Sequence, residues 1–141
     1  MEENIKKNAQ MVIEQLRPIS QIDFGYNRES VKWLEGYIER QRQRDKFQAE
    51  TNRKKLTSTL GSFLGECIIH CYGGRWVNHD GCWGVAIGED FIAYPLNKVG
   101  KQMENGLEDG IDSFFTNIPI LLSDYVYAQE KPTKKPWWKI W

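Results

Sequence analysis

LTSTLGSFLGECIIHCYGGRWVNHDGCWGVAIGEDFIAY, residues Leu56 to Tyr94, holds the clearest helix and the clearest strands of the chain in contiguous order. Counted at about 100° per residue, Leu56, Leu60, Phe63, Leu64, Cys67, Ile68 and Cys71 fall on one face, which predicts a buried amphipathic helix. Gly61 and Gly65 lie one turn apart beside that stripe and Ile69 lies opposite it, so a second element is expected to approach closely where side chains are missing. Gly73-Gly74 supplies the positive φ that stops a helix. Arg75 to His79 and Cys82 to Ile87 read as strands around Asp80-Gly81, a dipeptide suited to a tight hairpin turn. Trp83, Val85 and Ile87 alternate with Cys82, Gly84 and Ala86, giving a bulky face toward a helix and a small face. Gly88-Glu89-Asp90 turns into a third strand, Phe91 to Tyr94. The expected core is a three-stranded antiparallel meander packed on the central helix.

Outward from this stretch, the N-terminal third reads as helix. Ile5, Ala9, Val12, Ile13 and Leu16 recur at helical spacing until Pro18, and Ser20 to Tyr26 forms a connection. Asn27 or Ser30 caps a second helix with Val31, Leu34 and Ile38 as its stripe, Trp33 and Tyr37 at its edges, and Glu29 or Glu35 suited to its first half. Glu39 to Lys55 is rich in Arg and Lys and reads as a solvated helical extension. After the meander, Pro95 ends the third strand and Asn97 caps a short helix facing Val99 and Met103 inward, closed by Asn105-Gly106. Another short helix follows, with Glu108 and Asp109 at its start and Ile111, Phe114 and Phe115 buried, before Pro119 interrupts. Ile118 to Leu122 fits either helix or strand. The fold class is therefore α+β: N-terminal helices, a long central helix on the meander, then short C-terminal helices.

The chain has 141 residues, 40% hydrophobic and 13% aromatic, which suits one domain able to bury about two-thirds of its unfolded surface. Residues 1–129 form that domain, with 1–26 a helical lead-in and 27–129 the main body, and residues 130–141 form a Lys/Pro/Trp-rich tail. No apolar run approaches the ~20 residues of a spanning helix, and no secretory segment is visible. A cytoplasmic location with three free thiols is expected. The formal net charge is zero but unevenly spread: residues 1–57 carry +3, residues 58–130 carry −7 and residues 131–141 carry +4. An acidic folded half does not favour nucleic acid, which needs a basic face.

The combination Leu60-Gly61-x-x-Leu64-Gly65-Glu66, Gly73-Gly74-x-Trp76, Trp83-Gly84-Val85, Tyr94-Pro95-Leu96-Asn97-Lys98-Val99 and Glu104-Asn105-Gly106 resembles a small bacterial domain of unknown function. The resemblance covers residues 28 to 116, and its motifs are glycines, aromatics and caps. It implies an α+β domain and a bacterial source, and it implies no activity and no functional residues.

No complete catalytic or cofactor motif is present, so no cofactor is expected. Cys67, His70, Cys71, His79 and Cys82 have spacing that suits a metal, with Cys67, Cys71, His79 and Cys82 as a zinc alternative. Two of those cysteines lie on the apolar stripe, where thiols behave as small hydrophobes. Glu66 and His70, at i and i+4, share a helix edge as an alternative acid/base couple, joined by His79 and Asp80 across the hairpin. Glu66 equally suits binding Arg75 or the NH groups at the glycine stop.

The tail offers Lys134, Lys135, Trp137, Trp138, Lys139, Ile140 and Trp141 as a partner-binding set. Each docked tryptophan would bury ~150–250 Å². Docking onto an acidic protein partner or neighbouring subunit comes first, self-packing next, and weak peripheral contact with an anionic membrane last. The sequence is read as a non-catalytic interaction module, suited to an operon-encoded complex or a toxin-immunity system. A small metal- or ligand-binding enzyme using Glu66, His70, His79 and Asp80 is the alternative.

Overall fold

The computed structural model describes residues 2–44 and 50–130, with side chains for 2–44 and 51–122. Helix α1 (Glu2–Ser20) buries Ile5, Ala9, Val12, Ile13 and Leu16, and it packs on the central helix α3 (Glu50–Tyr72). The expected stop at Pro18 is corrected, because α1 runs through it to Ser20. A proline this near the end forfeits one backbone bond to the carbonyl four residues back, and few turns remain to be disturbed. The connection that follows is fastened at both ends. Ser20 Oγ donates to the Arg17 carbonyl at 3.1 Å, and Arg17 Nε donates to the Phe24 carbonyl at 3.0 Å.

Helix α2 (Arg28–Arg42) is capped by Asn27, whose Oδ1 accepts from the Ser30 N–H at 2.9 Å and from the Ser30 hydroxyl at 2.8 Å. Val31, Leu34 and Ile38 are buried, as the spacing requires. The extension expected over Glu39 to Lys55 is not one helix. Helix α2 stops at Arg42, whose Nε reaches across to the Met103 carbonyl at 3.0 Å, and α3 begins at Glu50.

Every residue of α3 from Leu60 to Ile68 is buried, since α1 and α4 (Pro95–Asn105) both pack against it and the sheet lies near its second half. Leu56 is only half-buried and Cys71 is exposed, so the stripe is shorter at both ends than its periodicity suggests. The two glycines mark close approaches. A Cβ at Gly61 would sit 2.6 Å from Leu96 Cα, and one at Gly65 would run into the Trp76 ring.

The sheet is antiparallel in the order β1 (Arg75–His79), β2 (Cys82–Ile87), β3 (Phe91–Ala93), with Trp76 opposite Val85 and Val85 opposite Ala93. Asp80 (φ 52°) and Gly81 (φ 84°) form the expected two-residue turn. Strand β2 differs from a one-sided strand, because Gly84 to Ile87 are all buried and both of its faces are covered there.

Pro95 opens α4 at its first turn and Tyr94 takes the cap position, so Asn97 does not cap it. Val99 and Met103 point inward and Gly106 (φ 76°) closes the helix. A 3-10 turn (Gly106–Asp109) leads into α5 (Ile111–Glu130), which continues through Pro119 where an interruption was expected. Ile118 and Leu121 are buried while Pro119 is exposed, so apolar packing on one side outweighs a lost bond on the other.

The start of α5 is capped by other helices. The N–H of Ile111 donates to Gln102 Oε1 at 3.0 Å, and that of Asp112 donates to Glu35 Oε1 at 3.2 Å. Gln102 is fully buried in α4 and its Nε2 donates to the Glu35 carbonyl at 3.0 Å, so one amide joins α2, α4 and α5.

Candidate functional site

Glu66 lies in the buried run of α3, only 7% exposed, at the level where Trp76 of β1 crosses the helix over Gly65. The Trp76 indole N–H donates to Glu66 Oε2 at 2.8 Å. A buried carboxylate needs such a donor, and a buried indole N–H needs such an acceptor. Neither Arg75 nor the glycine stop, the partners suggested by sequence, holds this carboxylate through Oε2.

The second oxygen, Oε1, lies 4.0 Å from His70 Nε2, longer than a hydrogen bond. The half-exposed His70 ring stacks on Tyr26, with centroids 4.4 Å apart and planes 23° apart. Tyr26 also lies tilted against Phe63 at 5.7 Å. Burial, then the negative charges of Glu66 and Cys67, push the Tyr26 phenol up to about 12. Glu66, His70, Tyr26 and Trp76 thus form one cluster at the exposed end of α3. Its chemistry is limited by geometry, since Glu66 is held at a fixed orientation and the imidazole is out of direct proton-transfer reach.

His79 and Asp80 form a separate couple on the hairpin turn, Nε2 to Oδ2 3.7 Å, with both side chains largely in solvent. The structure therefore joins the four alternative catalytic residues two by two. Cys67 is buried and its Sγ lies 4.0 Å from the Gly25 carbonyl. Burial first, then Cys71, raises its thiol well above the ordinary value. Cys71 is exposed as a residue, but its Sγ packs 3.7 Å from the Tyr26 carbonyl and that partial burial raises its thiol. Cys82 is exposed opposite His79 in the hairpin. Among the described residues, no group of three or more His, Cys, Asp or Glu side chains gathers so as to hold a metal ion, so Cys67, Cys71, His79 and Cys82 do not come together as the zinc alternative requires.

Two grooves lie elsewhere, flanking α4. One, of about 350 Å³, is lined by Phe91, Ile92, Ala93, Tyr94, Asn97, Lys98, Lys101 and Phe114. The other, of about 420 Å³, lies between α3 and α4 with Arg53, Lys54, Thr57 and Ser58 on one wall and Leu96, Gly100 and Met103 on the other. Sequence reading missed both, because each is assembled from separate elements. The Trp76–Glu66 bond was also missed, although an inward Trp and a Glu on a buried helix each signal a needed partner.

The tail set Lys134, Lys135, Trp137, Trp138, Lys139, Ile140 and Trp141 lies outside the described residues. Among the described residues no helix is long and apolar enough to cross a membrane. Comparison of the chain with protein-family models, with curated proteins and with solved structures found no match to any of the three.

Proposed function

We propose that this chain is a non-catalytic bacterial interaction module, working in the cytoplasm, whose folded body presents the Lys- and Trp-rich segment 131–141 to a protein partner or a neighbouring subunit. The observation that carries the reading is the Trp76–Glu66 bond at 2.8 Å: a buried acid of the central helix spends an oxygen fastening β1 to α3. That is a scaffold duty, and in the sequence residues 137–141 hold three tryptophans, the densest aromatic run of the chain. A segment of charge +4 beside a body whose residues 58–130 carry −7 suits recognition of an acidic surface. An operon-encoded complex or a toxin-immunity pair is the setting such a module fits.

Deleting residues 131–141 tests this. The expected result is loss of partner capture or a change of oligomeric state, with the circular dichroism spectrum of the body retained. Unchanged capture and unchanged assembly would reject the reading.

A further inference from the structure

Strand β1 is an outer strand of the sheet, and its five residues pair with β2 in an unbroken antiparallel register from Arg75 opposite Ala86 to His79 opposite Cys82. Because the turn between them holds only Asp80 and Gly81, His79 and Cys82 exchange backbone hydrogen bonds, and alternation gives Val77 and Arg75 the same inward role. The backbone N–H and C=O groups of Trp76 and Asn78 therefore point away from β2. Among the described residues no backbone bond reaches them. The usual protections of a sheet edge are missing here, since β1 holds no proline and no bulge, whereas the other outer strand, β3, is only three residues long.

Backbone parity restricts what a second copy of β1 can do at this edge. Outward groups must meet outward groups, so Trp76 can lie opposite Trp76, Asn78 or the turn residue Asp80 of the second copy. Only the middle register overlaps the whole strand. It sets Trp76 opposite Asn78 of the second copy twice, about a two-fold axis through Val77, and each of those pairs exchanges both of its hydrogen bonds. The half-buried Val77 then meets its own copy on the face turned away from α3, since Trp76 beside it lies over Gly65. The charges agree with this register. Arg75 is exposed and forms no ion pair with a described residue. Here it faces His79 of the second copy, one step from Asp80, whose side chain is 93% exposed and 3.7 Å from the His79 Nε2. A strand of another sequence would need an acid at one end and a base at the other, and a second copy supplies both by symmetry.

We infer that β1 is a self-association edge, to which a second copy of this chain adds antiparallel through Trp76, Val77 and Asn78 to make one sheet continuous across both copies. This surface is distinct from segment 131–141 and does not depend on the interaction reading.

Cysteine cross-linking of the full chain tests it, with Cys71→Ser and Cys82→Ser leaving only the buried Cys67. Val77→Cys places a thiol opposite its own copy at a Cα separation of about 4.5 Å, within disulfide reach, and should give a covalent dimer under mild oxidation. His79→Cys shares that face but lies far from its own copy, so it should not link to itself. Mixed with Arg75→Cys, it should give the mixed dimer. Without added cysteines, sedimentation equilibrium should show a reversible dimer with Kd on the order of 100 µM, weak because so short an edge buries little area. Asn78→Pro removes an outward N–H that the hairpin does not use, and should give a monomer with the circular dichroism spectrum kept. The cross-links carry the decision if losing the bond from the Gly81 N–H to Asn78 Oδ1 unfolds that variant. Self-linking of His79→Cys as fast as Val77→Cys, no Val77→Cys dimer at about 0.5 mM chain, or species larger than a dimer would overturn the assignment. A full chain that dimerises only after residues 131–141 are removed would overturn it too, by making the chain's own tail the occupant of the edge.

Discussion

The indole N–H of Trp76 donates to the buried carboxylate of Glu66 at 2.8 Å, and the same ring lies over Gly65 one residue earlier on the helix. Strand β1 is thereby held to α3 by a polar bond and a steric fit at adjacent positions. Trp76→Phe keeps most of the ring and removes the donor. It should cost about 1.5–3 kcal/mol, because the carboxylate stays buried with that oxygen unpaired. Urea unfolding of Trp76→Phe, Glu66→Gln and the double variant should give a coupling well outside error, and additive effects would contradict the pairing.

Glycines of equal helix propensity should respond oppositely to alanine. At Gly61 a new Cβ would meet the Leu96 backbone at 2.6 Å, and backbone cannot step aside, so Gly61→Ala should lose about 1–3 kcal/mol. At Gly36 in α2 the nearest atom is the flexible end of Arg40 at 3.4 Å, and Gly36→Ala should gain about 0.5–1 kcal/mol from helix entropy. Thermal melts that move in the same direction for both would show that α4 does not press on α3 as described.

Much of this was legible in the chain itself. Gly61 and Gly65 announced a close approach, and Asp80-Gly81 with its flanking alternation announced the hairpin, because each feature is decided by local backbone or spacing. Pro18 and Pro119 misled because the cost of a missing N–H is local and modest, whereas the packing of Ile118 and Leu121 that outweighs it is tertiary. Gln102 gave no signal, since only the meeting of α2, α4 and α5 makes a buried amide useful. The cluster at the end of α3 was half legible. Glu66 and His70 share an edge by helix geometry, but Trp76 and Tyr26 arrive from other elements.

Glu35 should give the fold a measurable pH response. Burial, the largest cause, and the negative charges of Asp112 and Glu39 raise its carboxyl above 4.5, against the lowering effects of the Asp112 N–H and Lys32. A raised folded value means the native state holds the proton more tightly. The associated stability is present below pH 4.5 and is lost as pH rises through the folded value. Glu35→Gln keeps an oxygen for the Asp112 N–H and removes the charge. Its urea midpoint should therefore fall less than that of wild type between about pH 4 and pH 7, and parallel curves would contradict this origin.

Thiol labelling should separate the cysteines by their surroundings. Cys71 and Cys82 are exposed, while Cys67 is buried with its thiol raised well above the ordinary value. Two thiols should react with an aromatic disulfide reagent in the native protein and the third only on unfolding. Mass mapping that finds Cys67 labelled in native buffer would show that α3 opens more readily than its packing implies.

The claim on which the account rests is that the body is a scaffold and segment 131–141 is its contact with another protein. The most direct measurement replaces Trp137, Trp138 and Trp141 together by Ser in the full chain, and compares cross-linked partners in cells alongside the melting temperature of the purified protein. The account predicts that the specific cross-links disappear while the melting temperature stays within about 2 °C. Cross-links that persist, or a melting temperature that collapses because the tryptophans belong to the body's own core, would contradict it.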